Sequence, residues 1–139
     1  MLQVFRWLAL IPACIAAWFI ALAVGLYVRG IVASFCPPEF VISGFCEAPW
    51  YPAAEKSVIA FGVALSAFLV VLTAAAVAPT HRILAAKAAL TIGTAVAIAF
   101  AAGTGEYMAL TIAVLTGSLG LVVVTVIVRR GVANANSVA

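Results

Sequence analysis

Four long apolar runs, separated by polar connectors, make up most of the 139-residue chain; they span residues 7–28, 57–78, 83–102 and 107–128. An α-helix rises 1.5 Å per residue, so about 20 residues cross a hydrocarbon core of about 30 Å. The pattern predicts an all-α fold, a four-helix transmembrane bundle that forms one domain over residues 1–130.

The connectors differ in length. Residues 79–82 and 103–106 are short and contain proline or glycine, which predicts turns between antiparallel neighbouring helices. Residues 29–56 form the long connector, which is predicted to be a loop outside the bilayer. Residues 131–139 are small and polar without periodicity, which predicts a disordered tail on the cytoplasmic side.

Composition agrees with a membrane class. Hydrophobic residues make up 68% of the chain and charged residues 8%, against about 45–50% and about 25% in soluble domains. The net charge of +3 could suggest nucleic acid as a partner. The basic residues are scattered at the ends of apolar runs, however, so the charge pattern is typical of topology control and not of nucleic-acid binding.

The basic residues also predict orientation. A cytoplasmic N-terminus leaves two cations outside, Arg29 and Lys56, and places five inside: Arg6, Arg82, Lys87, Arg129 and Arg130. This satisfies the positive-inside rule and predicts that both termini are cytoplasmic. The alanine- and valine-rich composition suggests a bacterial inner membrane, with the loop facing the periplasm or exterior. His81, Arg82 and Lys87 are interpreted as topology anchors or as attracting anionic lipid.

Two of the three cysteines, Cys36 and Cys46, lie in the long connector. In an oxidising compartment this pair is predicted to form a disulfide, with a stabilisation of about 2–3 kcal/mol on the chain-entropy model. The alternative is a redox-active pair in a thiol–disulfide oxidoreductase. Such enzymes prefer a C-x-x-C spacing, whereas nine residues separate this pair, and Cys14 stands alone in the first run.

Aromatic residues crowd the same connector: Phe35, Phe40, Phe45, Trp50 and Tyr51. They predict either an aromatic belt lying at the headgroup layer or a docking surface for a partner protein or lipid. The sequence alone does not separate these two interpretations.

Small residues recur every four positions in three of the runs, and this spacing keeps them on nearly one helix face. Such faces allow the close helix packing that replaces hydrophobic association in lipid, and they also suit a partner protein. The residues predicted to pack helices are Ala17, Ala21, Gly25, Ala89, Gly93, Ala97, Ala113 and Gly117.

Hydroxyl groups are the main polar side chains within the runs. Most are expected to bond a carbonyl one turn back in their own helix. Thr94 and Thr116 are the candidates for lining a polar path through the membrane.

The chain contains a single histidine, and its apolar runs contain no Asp or Glu. A Ser/His/Asp or metal-binding constellation is therefore not expected, and neither is a cofactor. The leading hypothesis is a non-enzymatic accessory or scaffold subunit of a larger membrane assembly, in contact with lipid and with another membrane protein or a second copy. The alternatives are a small homo-oligomeric channel or transporter, and a membrane thiol–disulfide oxidoreductase.

Overall fold

The structure is a computed structural model that describes residues 2–105 and 107–136, with side chains for residues 7–105 and 107–131. Within this part of the chain the elements are helix α1 (Leu2–Ser34), a 3-10 turn (Pro38–Phe40), strands β1 (Val41–Ile42) and β2 (Phe45–Cys46), and helices α2 (Tyr51–Val77), α3 (Arg82–Thr104) and α4 (Tyr107–Asn136). The predicted all-α class is confirmed, with one small hairpin added.

The described chain contains four helical segments long and apolar enough to cross a membrane: Trp7–Ser34, Tyr51–Val77, Arg82–Thr104 and Tyr107–Gly131. Each is longer than the roughly 20 residues that an α-helix needs to span a hydrocarbon core. The predicted multi-pass membrane class is therefore confirmed.

The helices extend beyond the predicted boundaries. Helix α1 contains Pro12 and continues through residues 29–34, because no further proline occurs before Pro37. Helix α2 begins at Tyr51 rather than at residue 57. Pro52 lies in its first turn, where the missing N–H has no helical partner to lose. The connector between α1 and α2 is thus reduced to residues 35–50.

The C-terminal end of α4 also differs from its predicted boundary. It includes residues 131–136, which the sequence assigned to a disordered tail. A lone glycine at Gly131 does not stop a helix, and the alanines that follow favour continuation. Residues 137–139 of the predicted tail lie outside the described residues.

Helix α2 is the centre of the packing, because it contacts α1, α3 and α4, while α3 also packs against α4. The substantial helix contacts of α1 are with α2 alone. The small face predicted on α1 is turned toward α2, where Ala17 and Ala21 are buried. A Cβ atom on Gly25 would lie 3.7 Å from the Cα of Gly62, so glycines of both helices allow a close approach.

Helices α2, α3 and α4 share an apolar cluster of Val71, Ala75, Ala86 and Val124. Two glycines bring α4 close to the other helices of this group. A Cβ on Gly117 would lie 2.7 Å from the Cδ1 of Leu90, and one on Gly120 would lie 3.4 Å from Val71 Cγ1. Because lipid is as apolar as these side chains, hydrophobic burial does not drive the helices together. Close van der Waals contact between the helices stabilises the bundle instead.

The small residues of the predicted stripe on α3 differ in burial along the helix. Ala89 and Ala97 are half-buried, whereas Gly93 is exposed and has open space where a Cβ would lie. On α4, Ala113 is half-buried and Gly117 is buried. Contact between Gly93 and a partner protein stays a prediction.

Candidate functional site

The loop between α1 and α2, residues 35–50, is the candidate site and is closed covalently. Cys36 and Cys46 form a disulfide with their Cα atoms 6.0 Å apart, so the predicted pairing is confirmed. The loop cannot open without reduction of this bond, because the disulfide joins Cys36, two residues beyond α1, to strand β2.

A tight hairpin forms the tip of the loop. Its two antiparallel strands pair Val41 with Cys46 and Ile42 with Phe45. The linking residues, Ser43 and Gly44, have φ angles of 51° and 84°. Two positive φ values match the right-handed twist of a two-residue hairpin. The sequence pattern did not predict these strands of two residues each.

The base of the loop is held by backbone hydrogen bonds. The Phe40 N–H donates to the Pro37 carbonyl at 3.0 Å, and the Glu47 N–H donates to the Phe40 carbonyl at 2.9 Å. Ala48 is buried beneath them. The hairpin is therefore fixed to its base as well as closed by the disulfide.

An ion pair joins the two helices below the loop. The Arg29 guanidinium donates to the Glu55 carboxylate at 2.7 Å, and both side chains are partly exposed. The sequence pattern did not predict this pair. The available signal was the placement of opposite charges at the two ends of the long connector.

Replacing Glu55 by glutamine is expected to lower the free energy of unfolding by about 0.5 kcal/mol, since a partly exposed pair contributes little in water. The loss should shrink at high salt, which screens the native pair. Unfolding in mixed micelles at two salt concentrations measures it. Glu39→Gln is the matched control, because Glu39 is an exposed carboxylate on the loop. Equal effects of the two variants would contradict a role for the pair.

The outward surface of the loop is apolar. Within residues 35–50, which are all described, the exposed large hydrophobic side chains are Phe35, Phe40, Val41, Ile42, Phe45 and Trp50. Tyr51 is half-buried and contacts the Trp50 ring edge-to-face, with ring centroids 5.9 Å apart. Of the five predicted docking aromatics, four are thus presented outward, and Tyr51 supports them.

A cavity of about 420 Å³ lies between the hairpin and the end of α1, with Leu26, Arg29, Phe45 and Tyr51 in its lining. Both cysteines of the disulfide also line it. Val41 and Phe45 belong both to this lining and to the exposed apolar surface, so the cavity opens beside that surface.

The two threonines predicted to line a polar path differ. The Thr116 hydroxyl donates to the Ile112 carbonyl at 2.7 Å, within its own helix. Thr94 is half-buried, and its hydroxyl donates no hydrogen bond to any described residue. Backbone bonding of this kind is also present at Thr91, Thr111 and Thr125. A polar path stays a prediction.

Cys14, the cysteine outside the disulfide, lies in α1 facing α2. Its Sγ is 4.0 Å from the Val70 carbonyl oxygen. Twenty positions separate it from Ser34 at the end of α1, which is about 30 Å along the helix axis. Direct thiol exchange between Cys14 and the disulfide is therefore excluded by distance in this arrangement.

No protein-family model, curated protein or solved structure matches this chain.

Proposed function

We propose that the chain is a non-enzymatic accessory or scaffold subunit of a larger membrane assembly, and that it docks a partner protein through the exposed apolar surface of residues 35–50. The observation that carries this proposal is the combination of six exposed large apolar side chains with a closed, hydrogen-bonded frame in the same sixteen residues.

The energy available to such a surface is considerable. Burying one exposed large apolar side chain contributes about 1.5–3 kcal/mol. The disulfide and the hairpin have already ordered the loop, so docking would lose less conformational entropy than it would from a flexible loop. A few central aromatic anchors of this kind usually carry most of the binding energy of an interface.

The distance of the loop from the membrane surface favours the interpretation as a protein-docking surface over that as an aromatic belt alone. The Arg29–Glu55 pair is most favourable where the helices meet water, because charges are costly in hydrocarbon. Helix α1 continues five residues beyond Arg29 to Ser34, which is about 7 Å of rise. The hairpin follows that point, and its apolar residues share the loop with the exposed carboxylates of Glu39 and Glu47.

The proposed orientation places both termini in the cytoplasm and the loop in the periplasm or exterior of a bacterial inner membrane. The distribution of basic residues supports it. The disulfide supports it independently, since cytosolic thiols are kept reduced and structural disulfides persist in oxidising compartments.

The proposed partner is another membrane protein or a second copy of the chain. Two surfaces beside the loop suit intramembrane contact. One is the side of α1 turned away from α2, since the substantial helix contacts of α1 are with α2 alone. The other is the open surface around Gly93 on α3, which would let a second helix approach closely.

Replacing Phe45 by alanine is expected to weaken partner binding at least about tenfold, because central aromatic anchors contribute about 2 kcal/mol or more when truncated. The measurement is native mass spectrometry of the full-length chain after gentle extraction in native lipid. A polypeptide retained in fixed ratio by the wild type should be lost from the variant.

Leu115→Ala is the control for Phe45→Ala. Leu115 is 70% exposed on α4, which is in neither of the two proposed intramembrane contact surfaces, and Phe45 is 71% exposed on the hairpin. Both substitutions truncate an exposed apolar side chain, but only one removes it from the loop. Equal retention of the partner by both variants would overturn the loop as the docking surface. A wild-type chain that carries no partner and no second copy would overturn the accessory function itself.

A further inference from the structure

A cavity of about 560 Å³ lies at the turn between α2 and α3, at the end of the molecule opposite the loop. His81, Arg82 and Lys87 are among the residues that line it, together with Thr80 and the apolar Leu84 and Val128. Helix α4 supplies Val128, so the cavity is bounded by two helices and the turn.

The backbone adds hydrogen-bond donors at the same place. His81 precedes α3 in a left-handed conformation, with φ 53° and ψ 44°, and its side chain does not cap the helix. The first intrahelical bond of α3 runs from the Ala85 N–H to the His81 carbonyl at 3.0 Å. The amides of residues 82–84 therefore have no acceptor within the helix, and all three residues line the cavity.

The charge at this end is uncompensated within the described residues. The described carboxylates are Glu39, Glu47 and Glu55, and all three lie at the loop end of the molecule. Arg129 and Arg130 follow Val128 directly, are exposed, and are outside the cavity lining. Anions in the cavity therefore meet a positive field chiefly from Arg82 and Lys87 and from the N-terminus of α3.

The apolar side of the lining distinguishes a lipid from a free anion. Leu84 is exposed on α3 and Val128 is packed at the edge of the shared apolar cluster. Both lie in helices that are long and apolar enough to cross a membrane, so an occupant with a phosphate group at the helix ends and acyl chains along the helices would contact both parts of the lining.

We propose that this cavity binds the headgroup of an anionic phospholipid. The Arg82 guanidinium pairs with the phosphate as a two-pronged donor, and Lys87 adds a second cation about one turn along the helix. The free amides of the first turn of α3 donate to the same phosphate oxygens. Thr80 and His81 offer donors to the polar end of the headgroup, and Leu84 and Val128 contact the start of the acyl chains.

The test is lipid titration of the full-length chain, followed by native mass spectrometry. The probes are phosphatidylglycerol and phosphatidylcholine with identical acyl chains. Wild-type protein is expected to retain phosphatidylglycerol about 25-fold more strongly, since Arg82 and Lys87 line the cavity and each basic residue at a membrane surface contributes about a fivefold increase in affinity for anionic lipid. The double variant Arg82→Gln, Lys87→Gln should lose that preference. The control double variant Arg129→Gln, Arg130→Gln removes the same charge outside the cavity lining. It should keep most of the preference for phosphatidylglycerol.

Equal retention of the two lipids by the wild type would overturn the proposal. Equal loss of preference in both double variants would also overturn it, because it would show attraction to net charge and not to a site. Displacement of phosphatidylglycerol by millimolar inorganic phosphate would assign the cavity to a free anion instead. The wild-type lipid comparison stands even if a double variant does not fold. This outcome is separate from the loop experiment, which concerns the opposite end of the chain.

Discussion

Replacing Gly120 by leucine should lower the free energy of unfolding by about 3 kcal/mol, which is at the upper end for overpacking of a tight contact. A Cβ at this position already meets Phe68 Cδ2 and Val71 Cγ1 at 3.4 Å. Val71 is buried, and its branched side chain has little rotamer freedom. Three further carbons therefore require α4 to move away from α2, which contacts all the other helices of the described chain.

Gly93→Leu is the control for Gly120→Leu. Gly93 lies in the interior of α3, with no atom within 4 Å of its would-be Cβ. Both variants gain about 1 kcal/mol of helix propensity, so the difference between them isolates the packing cost. Unfolding of purified protein in mixed micelles measures both. If the two variants unfold at the same denaturant concentration, the close α2–α4 contact is contradicted. Loss of assembly in Gly93→Leu alone would place a partner on α3.

Removing the disulfide is the second large effect. The double substitution Cys36→Ser, Cys46→Ser is expected to cost about 3 kcal/mol, which is the loop-closure entropy of a ring of this length on the chain-entropy model. The loss should be concentrated in residues 35–50, since the cross-link ties this segment and not the helices. Limited proteolysis should therefore cut the loop of the variant before any helix is released.

Cys14→Ser provides the control for the disulfide variant, because Cys14 is half-buried in α1 and outside the disulfide. It should change protease resistance of the loop little. Wild-type protein treated with dithiothreitol should show the same protease sensitivity of the loop as the double variant. It should also lose the partner protein whose binding depends on Phe45. Unchanged resistance of the reduced wild-type loop would show that the hairpin hydrogen bonds hold it without the cross-link.

Hydropathy predicted the membrane helices because the cost of exposing backbone and polar groups to lipid acts on every residue of a span. The disulfide could be predicted from the placement of two cysteines in one loop, because cysteine pairs in an oxidising compartment generally form disulfides. Helix ends were less predictable. An apolar run ends where polar side chains begin, but a helix continues into water until proline or a competing turn stops it. Residues 29–34 of α1 and 131–136 of α4 are both examples.

The packing order of the helices could not be read from the stripes of small residues. Gly93 and Gly117 both occur in four-residue patterns, yet one faces open space and the other meets Leu90 of α3. In an alanine-rich chain such stripes occur on faces that pack and on faces that do not. The Arg29–Glu55 pair was equally hidden, since its partners are 26 positions apart and the path of the loop between them decides whether they meet.

The placement of α1 has a consequence for how the molecule is made. Once residues up to 77 have left the ribosome, α1 has its main packing partner, and the loop that holds both disulfide cysteines is present. Helix α2 still lacks its contacts with α3 and α4 at that stage. This order of contacts predicts that insertion adds the α3–α4 pair to a preformed α1–α2 pair, with α2 contacting first one pair member and then the other pair.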